Sequence, residues 1–247
     1  MLRARITPVL LLREGGLVKT KKFGDPKYVG DPINAVKIFN EKEVDELVIF
    51  DIDATALGKE PDCELLRDIA AESRMPLCYG GGIRDAEQGA KIISLGYEKV
   101  SISSAALERP ELIAEMSNRV GTQSVVVTVD VRRSGILGKG YSLYTHNARK
   151  KHSVDLFDFI RKAEELGAGE ILVNSIDRDG TLEGYDLRLA RKIRETVTIP
   201  LSFVGGAGSV EHMAELIEAV GPVGAAAGSL FVFKGKYRAV LISYARP

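Results

Sequence analysis

Eight short runs rich in Val, Ile and Leu recur along these 247 residues, each followed by a longer stretch of helical spacing, and that alternation admits few folds. The runs cover residues 6–12, 46–51, 77–80, 99–102, 124–130, 170–174, 201–204 and 224–227. They do not alternate polar with apolar residues, so each reads as a strand buried on both faces in a parallel sheet covered by helices. Asp31-Pro32, Asp85 and Arg109-Pro110-Glu111 predict helix starts, and Gly96, Gly167 and Gly221 fall where helices should stop. No linker or composition shift divides the chain, so the pattern predicts one α/β domain over residues 1–247, a single (β/α)8 TIM barrel.

The two halves resemble each other. Phe50-Asp51-Ile52-Asp53-Ala54, Gly80-Gly81-Gly82-Ile83 and Ser103-Ser104 return as Ser175-Ile176-Asp177-Arg178-Asp179, Gly205-Gly206-Ala207-Gly208 and Gly228-Ser229. This predicts a two-fold half-barrel repeat. A glycine-rich turn after a parallel strand lets backbone N–H groups approach a phosphate. Gly81, Gly82, Ser103 and Ser104 form one such candidate, and Asp179, Gly180, Thr181, Gly205, Gly206, Gly228 and Ser229 form the other. Either cluster alone reads equally well as a tight βα turn. Two clusters in symmetric positions shift the reading toward a ligand with two phosphate groups, bound where barrel sites sit.

Acid–base chemistry in this fold needs proton-moving side chains at the C-terminal strand ends. Asp130 closes the fifth apolar run and is the leading candidate; Asp51, Asp53 and Asp177 read better as turn caps or loop supports. With 34 basic and 34 acidic residues the chain lacks the global charge that nucleic acid or an anionic membrane surface would call for. Cys63 and Cys78 read as core or helix-face thiols in a reducing compartment, the cytoplasm by default, and no apolar run reaches membrane-spanning length. His146, His152 and His212 lack metal-ligand spacing, so neither metal nor cofactor is expected. The stretch 132–151 is basic and reads as a solvated excursion.

Taken together, several motifs resemble the cyclase subunit of imidazole glycerol phosphate synthase, among the phosphate-binding barrels of histidine biosynthesis. The resemblance covers nearly the whole chain. It is carried by Asp45-Glu46-Leu47-Val48, Gly80-Gly81-Gly82-Ile83, Lys99-Val100-Ser101-Ile102, Gly167-Ala168-Gly169-Glu170-Ile171-Leu172, Ser175-Ile176-Asp177-Arg178-Asp179-Gly180-Thr181, Gly184-Tyr185-Asp186 and Gly205-Gly206-Ala207-Gly208 with Glu211-His212. It implies a glutaminase (amidotransferase) partner at the N-terminal face of the barrel, ammonia passed up the barrel axis, and a bisphosphorylated ribulosyl substrate converted to imidazole glycerol phosphate. It also implies an ammonia gate formed by Arg5, Glu46, Lys99 and Glu170, for which a structural salt-bridge plug is the other reading. Lys19, in the long segment after the first strand, matches the family's mobile loop lysine; a solvated lysine is the alternative.

The sequence departs from that family where it matters most. Of the family's two catalytic aspartates, the one on strand 5 is present as Asp130 and the one on strand 1 is replaced by Leu11. Ser103 stands where the family usually has Asn, and the carboxyl end is shorter and different. Two enzyme readings follow: a cyclase with a rearranged acid–base pair, or a paralogue passing glutaminase-derived ammonia to another acceptor, as in sugar amidination for surface polysaccharides. A third reading is a non-catalytic partner that binds a phosphorylated metabolite and regulates the glutaminase. A related isomerase is the fourth, and Leu11 counts against it as well.

Overall fold

Eight parallel strands close on themselves in the computed structural model, which describes residues 3–135, 140–235 and 237–247. They are β1 (Arg5–Arg13), β4 (Leu47–Asp51), β5 (Leu77–Gly80), β6 (Lys99–Ile102), β7 (Val125–Ser134), β10 (Glu170–Ser175), β11 (Leu201–Val204) and β12 (Gly224–Ala227). Each pairs in parallel with the next, and β12 pairs with β1 from Arg5↔Gly224 to Pro8↔Ala227, which closes the (β/α)8 barrel. Outside it lie α1 (Pro32–Glu41), α2 (Cys63–Glu72), α3 (Ala86–Ser94), α4 (Ser104–Glu108), α5 (Glu111–Val120), α6 (Leu156–Glu165), α7 (Leu187–Thr196), α8 (Val210–Val220) and the short α9 (Ser229–Val232).

Two apolar layers explain why the strand sequences do not alternate. Outward side chains such as Leu10, Ile49, Ile102 and Ile171 pack under the helices, whereas Val9, Val48, Cys78, Val126, Leu172, Val204 and Ala226 meet on the barrel axis. Helix starts follow the local chemistry. The carboxylates of Asp31 and Asp85 accept the backbone N–H groups of Asn34 and Gln88. Gly96, Gly167 and Gly221 take positive φ values of 110°, 94° and 79° at helix exits.

Three segments depart from the sequence expectation. The segment after β1 is a ribbon, β2 (Gly16–Lys21) and β3 (Gly24–Gly30), with β2 antiparallel to β1 in the register Leu11↔Val18. Lys19 therefore lies on a strand rather than in a loop and is buried, which overturns the solvated-lysine alternative. β7 does not stop at Asp130 but runs on to Ser134 and pairs with β8 (Gly140–Thr145) as Asp130↔Tyr144. Most of 132–151 is thus a hairpin, extended by β9 (Lys150–Lys151) and seated by the fully buried Leu143, while its tip at 136–139 lies outside the described residues. At the carboxyl end, β13 (Phe233–Lys234) and β14 (Ala239–Val240) lead into an extended tail. The tail reaches the N-terminal face, where the Tyr244 hydroxyl donates to Ile6 O at 2.9 Å and Arg246 pairs with Asp45 at 3.3 Å.

Candidate active site

Two polar assemblies lie at opposite ends of the barrel axis. At the N-terminal end, inward-facing Arg5, Glu46, Lys99 and Glu170 form a closed ring. Arg5 pairs with Glu46 at 2.7 Å and with Glu170 at 2.6 Å; Lys99 pairs with the same two carboxylates at 2.7 and 2.8 Å. Ser202 Oγ donates to Glu170 as well. Burial pushes the Glu170 carboxyl up, yet Lys99 and Arg5 hold it below its ordinary value. The four residues named from sequence are therefore one network, each side chain satisfied by two partners of opposite charge.

At the C-terminal end the barrel opens into a cavity of about 590 Å³. Asp130 projects into it from β7, and Asn174 Nδ2 on β10 donates to its Oδ1 at 3.1 Å, following the register Asn174↔Asp130. Burial raises the Asp130 carboxyl to about 7; the Asn174 hydrogen bond works against that and the charge of Asp179 adds to it. Below it, Ser101 and Thr128 hydroxyls bond to each other at 2.6 Å.

The internal repeat places Leu11 without reference to any other protein. Ile52 N donates to Leu12 O at 3.1 Å in the first half, and Ile176 N donates to Val131 O at 2.9 Å in the second. That shared bond aligns Leu11 with Asp130. Leu11 lines the cavity and, with Phe50, packs against the axial apolar layer. One half of the mouth thus offers a carboxylate and the other a hydrocarbon at the equivalent position.

The remaining acidic candidates are occupied. Asp51 Oδ1 accepts from Asp53 N and Ala54 N at 3.1 and 3.0 Å, a turn cap as expected. Asp53 pairs with Arg13 at 3.0 Å, and Asp177 accepts Arg133 N at 2.7 Å while facing Arg132 at 3.9 Å. Asp179, grouped from sequence with the phosphate ligands, takes Thr20 Oγ1 at 2.7 Å and Phe23 N at 3.0 Å. Its carboxylate clamps the ribbon over Gly180. Thr181 Oγ1 turns back to Arg178 O.

The glycine loops come as close to neighbouring backbone as the sequence suggested. Gly81 has φ of 132°, and a Cβ there would lie 2.5 Å from Asp51 O; at Gly206, with φ of 105°, it would lie 2.1 Å from Gly184 O. Gly82 and Gly205 also take positive φ. Gly206→Ala is expected to cost about 2–4 kcal/mol, because backbone must move and an L-residue is strained at that φ. Thermal melting checks it, and an unchanged midpoint would mean the 205–206 loop is free to shift. Gly228 and Ser229 complete the second-half cluster beside Lys19, which donates to Val9 O and whose ammonium burial lowers to about 8 against the pull of Asp179. In the first-half cluster Ser104 lines the cavity, and the buried Ser103 Oγ has no hydrogen-bond partner among the described residues.

Sequence reasoning missed Asn174 and the rim residues His146, Asn147 and Arg149. Asn174 carried a signal, a polar residue two positions beyond inward Leu172; the rim residues carried none, since their placement depends on the hairpin. His212 sits on α8 and accepts Gly208 N at 3.1 Å through Nδ1, bracing the second-half loop. Among the described residues no group of three His, Cys, Asp or Glu side chains could hold a metal ion, and no helix is long and apolar enough to cross a membrane.

Comparison with known proteins matches residues 5–238 to a family described as "Histidine biosynthesis protein". The chain is 56% identical over 247 residues to a provisionally named imidazole glycerol phosphate synthase subunit hisF3 of Vibrio vulnificus, covering 100% of this chain and 95% of that one. It is 53% identical over 244 residues to a provisionally named subunit HisF of Leptospira borgpetersenii, covering 99% and 96%. Against the imidazole glycerol phosphate synthase subunit HisF of Exiguobacterium sibiricum it is 40% identical over 231 residues, covering 94% and 91%.

Proposed function

The chain belongs to the histidine biosynthesis protein family, and from that premise we propose that it is the synthase subunit of an imidazole-glycerol-phosphate-synthase-like complex. A glutaminase partner docks on the N-terminal face, ammonia passes the Arg5–Glu46–Lys99–Glu170 ring, and a bisphosphorylated ribulosyl acceptor lies across the mouth. The observation that carries this reading is axial alignment. The ring, the Ser101–Thr128 hydroxyl pair and Asp130 share one barrel axis, so a small neutral base that crosses the ring and the apolar layer of Val9, Val48, Val126 and Leu172 would meet a titratable carboxylate. The first-half glycine loop with Ser103 and Ser104, and the second-half loop with Gly205, Gly206, Gly228 and Ser229, hold the two phosphates. Lys19 supplies positive charge to the second.

Asp130 moves the proton. Poised at about 7, it exists in both forms near neutrality, which suits a group that must take a proton from the attacking amine and return it to a leaving group. Leu11 gives no second carboxylate, and this one substitution favours a second reading: the mouth serves a different ammonia acceptor. The provisional names of the relatives above half identity, one of them numbered as a third copy, accord with a paralogue.

Purified protein supplied with the ribulosyl bisphosphate and a high concentration of ammonium salt separates the two. Turnover followed by absorbance, and abolished by Asp130→Asn, is the result expected for the cyclase. Binding without turnover, with turnover appearing in Leu11→Asp, would sink it and leave the changed-acceptor reading standing.

A further inference from the structure

The two phosphate clusters are related by the repeat, but the charges around them are not. Four arginine side chains, Arg13, Arg84, Arg109 and Arg149, line the cavity on the first-half side together with His146, where among the described residues the second-half side has one cation, Lys19. Arg13 is neutralised by Asp53 and Arg109 by Glu115. Among the described residues the guanidinium groups of Arg84 and Arg149 make no ion pair or hydrogen bond. An unpaired arginine at the rim of a concave site is a ready bidentate partner for a phosphate oxygen pair.

The hairpin that carries Arg149 is held by its own half at its base, where Arg133 pairs with Asp186 at 2.8 Å, and by the first half near Arg149. Lys150 pairs with Glu108 at 2.6 Å on the helix that starts at Ser104, and Asn147 Nδ2 donates to Asp53 at 3.4 Å beyond β4. At and beside the Asn147 anchor, His146, Asn147 and Ala148 hold three consecutive left-handed conformations, φ 55°, 55° and 61°. Three consecutive non-glycine residues in that region are uncommon, and strain of that kind is concentrated where side chains are held at a site. His146 and Arg149 line the same cavity as Ser103, whose buried hydroxyl has no hydrogen-bond partner among the described residues.

From this asymmetry we infer that the first-half cluster is a diphosphate subsite: one phosphoryl group sits on Gly81, Gly82 and Ser103, and a second, directly linked one is held by Arg84 and Arg149. The inference rests on the proposed phosphate-binding mouth and on its changed-acceptor reading, since the ribulosyl ligand would place one phosphate in each half. An acceptor with a pyrophosphate group at one end fits this half better than a monophosphate does, and Leu11 and Phe50 supply an apolar wall beside it for the uncharged part.

Titration calorimetry of the intact protein with inorganic phosphate and with inorganic pyrophosphate, free of divalent metal, reads this directly. Pyrophosphate is expected to bind about tenfold more tightly or better, the order of magnitude for added charge-assisted contacts. Arg84→Gln combined with Arg149→Gln is expected to bring the ratio close to one. Both residues are exposed, and an unchanged thermal midpoint for the double variant verifies its fold. If phosphate binds and pyrophosphate binds no better, or if the preference survives the double substitution, the diphosphate subsite is wrong and the phosphate-binding mouth stands. If neither anion binds, the mouth itself is wrong and the subsite falls with it.

Discussion

Asp130→Asn is expected to reduce ammonium-dependent turnover by about 10²–10⁴-fold and, at the same time, to make the folded protein more stable above neutral pH. The two effects share one cause. Asp130 is half-buried in the cavity wall beside Asn174, among the described residues no cation pairs with it, and its carboxyl is raised from the ordinary 3.8 to about 7. Below about pH 4 it is protonated both folded and unfolded, and its burial carries no ionic penalty. Between 4 and 7 the unfolded chain ionises while the folded one resists, so wild-type stability falls as pH rises; above 7 the whole penalty is present. Asn has no such penalty at any pH. The variant should gain about 2–4 kcal/mol at pH 8.5, a rise of about 5–10 °C in melting midpoint, and almost nothing near pH 4. Midpoints at the two pH values together with the rate decide the matter. A variant that loses activity without gaining stability would mean that the Asp130 carboxylate is well hydrated in the cavity. In the wild type the ionised, proton-accepting form requires the rate to fall as pH drops through about 7. Asn174→Leu should move that fall upward in pH, because Asn174 favours the ionised form.

Glu170→Gln should be among the most destabilising single changes in the chain, although it is isosteric and lies far from the mouth. It leaves Arg5 and Lys99 with Glu46 as the only carboxylate in the ring, hence one buried positive charge uncompensated. Breaking a buried network in this way costs about 3–5 kcal/mol, on the order of 10 °C in midpoint for a chain of this size. The ring lies where few counterions reach, so added salt should restore little of it. A loss below about 1 kcal/mol, recovered by salt, would show that water already occupies the ring.

The barrel was legible because strands buried on both faces read as unbroken apolar runs, and the repeat was legible because its glycine loops tolerate few other residues. The ribbons were not. Gly16–Lys21 and Gly140–Thr145 each bury only a small apolar face, Leu17 with Val18 and Leu143, too little to stand out from loop sequence. Lys19 shows the same limit: lysine is solvated by default, and only the ribbon's docking on Asp179 buries it. Leu11 was legible as a missing carboxylate, but what replaced it, an apolar wall shared with Phe50, depended on packing. Asp179 looked like a ligand because it sits in a glycine-rich turn; its actual hydrogen bonds run to the first half of the chain.

Those bonds run in both directions across the repeat. The ribbon that follows the first strand of one half clamps Asp179 in the other, and the hairpin that follows the first strand of the second half reaches back to Asp53 and Glu108. Each half lends its arm to its sibling, an exchange of the sort two identical chains make when they swap segments. Cut into halves, the chain would lose the ribbon's grip on Asp179, while the hairpin would keep its bonds from Arg133 and Tyr141 to Asp177 and Asp186. Joined in one chain, the two arms differ in what they bring to the mouth, one the buried Lys19 and the other the exposed Arg149.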